Sequence, residues 1–429
     1  MTSPSTPVPT PAQPAALVSV AEHLAACLEL VRPLSPLDVA LRDALGCVLA
    51  EDVVSPRALP AFDNSGMDGY AVKLRDVEGA GEDTPVRLPV VADVAAGSSQ
   101  PVRLPSGTTA RIMTGAPLPT GTEAVVPVEW TDRGVSQVLV RRVPLPGQHL
   151  RRAGEDVAAG TVVVEAGTRL EPRHIGVLAA VGRARVRVRP RPRVVVVSTG
   201  TEVVEPGTAL GHGQLHDANG YLLTAAAEDV GALAYRVGVV ADDPAELTAV
   251  LDDQLVRADV VVTSGGVSEG AYDTVKEVLS ATADVRFERV AMQPGMPQGA
   301  GVLGEQRTPV FTLPDNPVSA FVSFEVFVRP ALRRMLGAEG PDPQRPRVRA
   351  TAEEGWSSPP GKQQYVRASW RRDGDGRFLV RPVSGHGSHL VTALAHATCL
   401  AVVGVGVSRV EAGDEVECLL LGPLPQGPA

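Results

Sequence analysis

Three short loops carry the side chains best suited to binding an anion. In residues 259–276, DVVVTSGGVSEGAYDTVK, the β-branched run Val260-Val261-Val262 leads into Ser264-Gly265-Gly266, and a helical pattern follows with Asp273 near its start and Lys276 three residues on. Free amides at a helix N-terminus flanked by glycines attract anions. An Asp within reach of phosphates there calls for a cation between them, commonly Mg²⁺ held through one or two carboxylates; the same Asp273 also reads as a plain helix cap. The arrangement recurs upstream, where Val194 to Val197 run into Ser198-Thr199-Gly200-Thr201-Glu202. It recurs again downstream, where Val310-Phe311-Thr312-Leu313 meets Pro314-Asp315-Asn316-Pro317. Three strand-to-loop transitions at one edge of a parallel sheet are where an α/β domain holds its ligand.

A second group of polar residues lies nearer the N-terminus. Residues 59–70, LPAFDNSGMDGY, put Asp63 and Asp68 beside Asn64 in a stretch too rich in turn formers for regular structure, which reads as an Asx-turn loop or as part of a site. Thr114-Gly115 precedes a Pro-rich turn, where the hydroxyl either meets a ligand or serves the turn. Arg151-Arg152-Ala-Gly-Glu155-Asp156 sets two cations beside two carboxylates, a pattern that is ordinarily a solvated cluster. His386 and His389 share a glycine loop with no third ligand, and Cys27, Cys47, Cys399 and Cys418 are scattered, so neither group reads as a metal centre; the cysteines read as reduced thiols.

These residues need elements to hold them. Residues 18–30 have helical apolar spacing, opened by the capping-box pair Ser19 and Glu22, and a second helix is expected over 36–45. From 71 to about 142 short β-rich runs broken by Gly and Pro indicate a small β domain. Helical spacing returns over 171–181, and then Arg183, Arg185, Arg187 and Arg189 alternate with apolar residues, which places them on one solvated face of a strand. Strands alternating with helices of about ten residues over 194–337 require a parallel sheet. Beyond 346 the helical signal ends, and runs at 348–350, 365–370, 377–380, 399–403 and 415–421 read as strands of a separate β domain. The fold class is therefore multidomain α/β plus β: a central parallel-sheet domain, an N-terminal helical/β region and a C-terminal β domain.

At 429 residues the chain is long enough for about three domains of roughly 150 residues. Its formal charge of −9 argues against general nucleic-acid binding, and it has no apolar run long enough to span a membrane. Residues 1–16 lack the basic start and apolar core of a signal peptide and read as a disordered Pro/Ser/Thr tail in a cytoplasmic protein. Three of the 40 basic residues are lysine, so an arginine standing for a lysine carries little meaning here.

Taken together, FDNSGMDGYAV (62–72), TARIMTGAPLPTGTEAVV (109–126), RRAGEDVAAGTVV (151–163), STGTEV (198–203), SGGVSEGAYDTVK (264–276), LPDNPVSA (313–320) and SGHGSH (384–389) make the chain resemble the MoeA family of molybdopterin molybdenumtransferases, which includes the E domain of gephyrin. The resemblance implies an N-terminal region over 17–182, with the small β domain inserted at about 71–150. It further implies a molybdopterin-binding α/β domain over 191–338 and a C-terminal β domain over 345–424. It implies an elongated homodimer, its active site between the α/β domain of one subunit and the GMDGY region of the other. The implied reaction inserts molybdenum from molybdate into adenylylated molybdopterin and releases AMP in a Mg²⁺-dependent step. By motif, Asp68, Thr114, Asp156, Glu202 and Asp273 look like catalytic or substrate-orienting residues, with Asp273 and Glu202 the metal ligands. Ser198, Thr199, Gly200, Ser264, Gly265, Gly266, Ser268, Lys276, Arg289, Pro294, Gly295, Asn316 and Ser319 look like substrate-binding positions, joined from the C-terminal domain by Arg367 and Ser388.

The chain departs from the family pattern at four places. Gln293 and Met296 stand where basic residues around a Pro-Gly-Lys-Pro segment are usual; the loss of two charged hydrogen bonds is worth roughly 3–6 kcal/mol. Asp315 replaces the glycine of Leu-Pro-Gly-Asn-Pro, and Thr201 replaces an Asp. The altered basic loop at Gln293 and Met296 motivates a second reading, a gephyrin-like scaffold that uses the same dimer to bind a peptide of a partner protein, with little or no molybdenum insertion.

Overall fold

The computed structural model describes residues 17–267, 274–337, 345–385 and 387–422. The expected tail over 1–16 lies outside them, as do Ser268, Asp273 and His386.

The middle of the chain forms a six-stranded sheet from β1 (Arg193–Thr199), β2 (Leu233–Val240), β3 (Val260–Ser264), β4 (Asp284–Arg289), β5 (Pro297–Leu303) and β6 (Thr308–Leu313). Its spatial order is β2-β1-β3-β6-β5-β4. The first four strands in that order pair parallel, as the strand-helix alternation requires. The last two pair antiparallel, so the sheet is mixed and not wholly parallel as the sequence suggested. A strand through PQGAGVL is hard to read because its glycines serve close approach. A Cβ on Gly301 would sit 2.1 Å from the Asp284 carbonyl oxygen, and one on Gly299 2.9 Å from the Phe287 ring.

The valine runs are buried on both faces. Val194, Val196, Val260 and Val262 pack with α1 (Asn219–Val230), while Val195, Val197 and Val261 pack with α2 (Pro244–Leu255) and α3 (Thr274–Thr282). On the α1 side lies α4 (Pro317–Ser323), which continues through a π-helical turn at Phe324–Val328 into α5 (Arg329–Leu336). The N-terminal helix Val20–Glu29, capped by the expected Ser19/Glu22 box, contributes Val20 and Cys27 to that same core.

Residues 36–45 do not form the expected helix. Leu37–Ala40 is a strand paired antiparallel with Arg185–Arg189, followed by a 3₁₀ turn at Leu41–Asp43. The partner strand is about 150 residues away, and such non-local pairing overrides a weak local helix preference. Arg185 and Arg187 face solvent on it, as their alternation indicated. The small β unit is a five-stranded sheet containing Gly69–Val72, Val86–Val94, Thr109–Ile112, Ala124–Pro127 and Gln137–Val140. C-terminally, Arg347–Ala352, Gln363–Arg372, Phe378–Pro382, Cys399–Val403 and Glu415–Leu420 build the second β unit. Its first segment is clamped to the α/β unit by Arg345, whose Nε and Nη2 donate to buried Glu325 at 2.7 and 2.9 Å and whose Nη1 donates to the Leu421 carbonyl at 2.8 Å. All four cysteines are buried free thiols. No described helix is long and apolar enough to cross a membrane.

Candidate functional site

The carboxyl ends of the central parallel strands open into a cavity of about 470 Å³. Ser198, Thr199, Gly200 and Glu202 after β1, Ser264, Gly265 and Gly266 after β3, and Asp315 and Asn316 after β6 all line it, so the three loops converge as the sequence indicated. Register accounts for the convergence, since Ser198 lies level with Ser264 and Ser264 with Leu313. Gly265 has φ +105°, and a Cβ there would lie 2.6 Å from Thr199 Oγ1 and 3.3 Å from Asp315 Oδ1. Gly200, at φ +142°, leaves room for the Glu202 carboxylate, both of whose oxygens would be 2.9 Å from a Cβ.

Among the further residues that line the cavity and that motif reading did not assign are Asp217, Asn219, Asp242 and His389. Asp242 follows β2 at the same sheet edge, a position the strand-end rule singles out. Thr201 donates to its Oδ2 from both backbone N and Oγ1, at 2.9 and 3.0 Å. The hydroxyl at this position therefore gives Asp242 a donor where a carboxylate would repel it. Glu202, Asp242 and Asp315 supply hard oxygen donors suited to Mg²⁺, although no three acidic or histidine side chains among the described residues come close enough to form a metal cage. Lys276 is not part of this wall. Thr274 and Val275 line the cavity, and the helical turn carries Lys276 away, its Nζ 5.8 Å from the Phe287 ring centroid.

Beside the cavity, Gln293, Pro294, Arg367, Ser384 and Gly385 line a narrow crevice between the α/β and C-terminal units. Arg367 is 5% exposed and donates from Nη1 to the Leu390 carbonyl at 2.7 Å and from Nη2 to those of Gly385 and Gly387 at 2.6 and 3.0 Å. It thus holds the loop that carries Ser388 and His389. Among the described residues no carboxylate pairs with it, and burial pulls its pKa below the usual arginine value. Ser388 accepts a long backbone bond, 3.4 Å from the Val318 amide, through its carbonyl. Gly295 (φ +94°) packs on Ser323, and its carbonyl accepts from Gln298 Nε2 at 2.6 Å. Arg289 Nη2 lies 3.6 Å from the Met296 sulfur, and Ser319 is buried in α4 outside the cavity wall.

The N-terminal residues form a constellation of their own. Asp68 Oδ1 accepts from the Thr114 amide at 2.6 Å and the Thr114 hydroxyl at 2.8 Å, which holds its pKa below the ordinary carboxylate value, the amide being the larger cause. Asp63 accepts from Ala153 N at 2.8 Å and Arg152 Nη1 at 2.6 Å, fixing the loop that presents exposed Asp156. Short pairings of Asn64–Ser65 with Leu150–Arg151 bring these loops together. None of Asp68, Thr114 and Asp156 lines the cavity of its own chain.

Family models match nearly the whole described chain: the MoeA N-terminal region (domain I and II) over residues 18–182, a probable molybdopterin binding domain over 195–334, and the MoeA C-terminal region (domain IV) over 349–421. The chain belongs to the MoeA family. Among MoeA-family relatives, Molybdopterin molybdenumtransferase 2 of Mycobacterium tuberculosis is 46% identical over 406 residues, covering 93% of this chain and 98% of that protein. Molybdopterin molybdenumtransferase 1 of the same organism is 43% identical over 405 residues, covering 90% and 95%. A solved MoeA protein from Pyrococcus horikoshii, titled as a molybdopterin biosynthesis protein, superposes with a TM-score of 0.76 at 32% identity, covering 95% of this chain and all of that one.

Proposed function

We propose that this MoeA-family chain inserts molybdenum from molybdate into adenylylated molybdopterin with release of AMP. The observation that carries the reading is the glycine-walled cavity at the carboxyl ends of parallel strands, in a chain whose relatives of 43–46% identity are named molybdopterin molybdenumtransferase. The Gly265 amide donates to the Leu313 carbonyl at 3.1 Å and fixes the turn, so the Gly266 amide, bared by the absence of side chains, is the one left to meet the substrate pyrophosphate. Glu202 and Asp273 would hold Mg²⁺, which supplies charge neutralisation between those phosphates. The buried Arg367 guanidinium, offset only by carbonyl dipoles among the described residues, leaves a positive potential in the adjoining crevice that an oxyanion such as molybdate answers.

The Asp68, Thr114 and Asp156 constellation has no place in the cavity of its own chain, and this supports a homodimer in which each cavity is completed by those residues of the second copy. The test of the reaction is AMP release by the purified protein with Mg²⁺. Release that rises with molybdate supports it. No release, while a related transferase turns over beside it, overturns it. The scaffold alternative is read in the same preparation, since a partner peptide retained at physiological salt by a protein without turnover would favour it.

A further inference from the structure

The segment that leads into α1, together with the helix's first residue Asn219, touches every one of the three cavity loops. Asp217 is 3% exposed, and its Oδ1 accepts from the Ser198 hydroxyl at 3.0 Å and the Gly220 amide at 2.8 Å, while Oδ2 accepts from Arg236 Nη1 at 3.1 Å. Two residues on, Asn219 uses its amide group in the other direction. Its Nδ2 donates to Ser264 Oγ at 2.7 Å and to the Asp315 carbonyl. The backbone adds a tie to the first loop, with the Leu215 amide donating to the Glu202 carbonyl at 2.9 Å and the Asp217 amide to the Val204 carbonyl at 2.8 Å.

Two features set this apart from ordinary packing. Asn219 Oδ1 is buried and has no hydrogen-bond partner among the described residues, so the side chain acts here through its Nδ2 donor group. Gly220 gives up its Cβ to admit the tie, because a Cβ there would lie 2.3 Å from Asp217 Oδ2 and 2.7 Å from Ser198 Oγ. A loop-to-loop geometry of this kind is what multipoint contact with one extended anionic ligand demands, since a small misplacement of any loop loses binding.

We propose that Asp217 and Asn219 are positioning residues, a brace that fixes the loop after β1 against the loops after β3 and β6 in the register that binds the adenylylated substrate. The role in substrate binding rests on the transferase reading; the brace itself does not. Asn219 carries the link to the second and third loops, and Asp217 carries the link to the first. The division of labour gives each residue its own signature.

The test uses the full chain with Asn219→Ala, Asn219→Asp, Asp217→Asn and Ser264→Ala, read by amide hydrogen exchange and by steady-state AMP release. Asn219→Ala is expected to speed exchange at residues 260–267 and 312–317 and to leave 198–204 near wild type. Asp217→Asn is expected to do the reverse. Each lost neutral bond corresponds to a change of roughly five- to tenfold, so Asn219→Ala should lower kcat/KM by on the order of thirty- to a hundredfold, mostly through KM. Asn219→Asp, which turns both donors into acceptors, should be worse. The Asn219→Ala/Ser264→Ala pair should cost less than the sum of the singles, because they share a bond. Uniform loosening of the whole α/β unit, unchanged exchange in these loops, or strict additivity of the pair would each overturn the brace. Ser198→Ala breaks the Asp217 tie from the loop side if Asp217→Asn fails to fold. A wild-type protein that releases no AMP would refute the reaction, and the exchange pattern would still decide the brace.

Discussion

Replacing Arg367 with lysine keeps a positive charge and removes the fork that spans three carbonyls. The guanidinium reaches Leu390, Gly385 and Gly387 oxygens at 2.7, 2.6 and 3.0 Å from two different nitrogens. A single ammonium on a flexible stem can keep about one of those bonds in the same geometry. Bonds to charged groups contribute on the order of 1.5–3 kcal/mol each, so the loop carrying Ser388 and His389 loses about 3–6 kcal/mol of attachment. In hydrogen exchange that loss appears as protection of the loop amides reduced by on the order of a hundredfold or more, with the β-strands of the C-terminal unit unaffected. AMP release should fall in parallel, with the molybdate requirement shifted to higher concentration. Arg367→Met separates the two roles, since it also removes the charge and should abolish the response to molybdate. Wild-type exchange of the loop in Arg367→Lys would refute the reasoning, because the three bonds would then not be what holds it.

Three further outcomes follow from the same geometry. Glu325→Gln leaves the Arg345 guanidinium without the buried carboxylate it grips at 2.7 and 2.9 Å, and should destabilise the junction with the C-terminal unit by about 3–5 kcal/mol, read as a lowered first thermal transition. Gly265→Ala forces a left-handed alanine whose Cβ lies 2.6 Å from Thr199 Oγ1; it should lower stability by about 1–2 kcal/mol and raise KM for the adenylylated substrate far more than that figure implies. For pH, the Asp68 folded-state pKa is depressed by the Thr114 amide and hydroxyl, so the contact is fully present above the ordinary carboxylate value of 3.8 and is lost only as pH falls through the lower folded value. Thr114→Val removes the hydroxyl and should move the acid limb of the pH–rate profile upward; an unmoved limb would show that Asp68 does not set it.

Much of the site could be read from the chain because its chemistry is local. A valine run followed by Ser-Gly or Ser-Thr-Gly states both a buried strand and the turn at its end, and three such units placed Ser198, Ser264 and Asn316 on one cavity. What escaped was non-local or directional. The 36–45 segment became a strand because its partner is Arg185–Arg189, which no local pattern announces. Asp217 and Asn219 belong to none of the loop motifs, and only the fold shows that they reach the loops after β1, β3 and β6. Lys276 was assigned by spacing and by resemblance, and among the described residues its Nζ lies 5.8 Å from the Phe287 ring centroid and outside the cavity lining. Arg367 was read as a substrate contact by resemblance, and its donors serve the loop carbonyls first. The departures at Thr201 and Asp315 also become intelligible in place: one hydrogen-bonds Asp242, and the other packs beside Gly265.

The composite site is the claim on which the functional account depends, and mixing two inactive variants tests it most directly. Asp68→Asn damages the N-terminal constellation and Gly265→Ala the cavity, so each homodimer should be inactive. If each site draws on two copies, subunit exchange at equal amounts gives half heterodimers with one intact site in two, and activity recovers to about a quarter of wild type. No recovery, with exchange of subunits verified by differently tagged chains, would contradict the account.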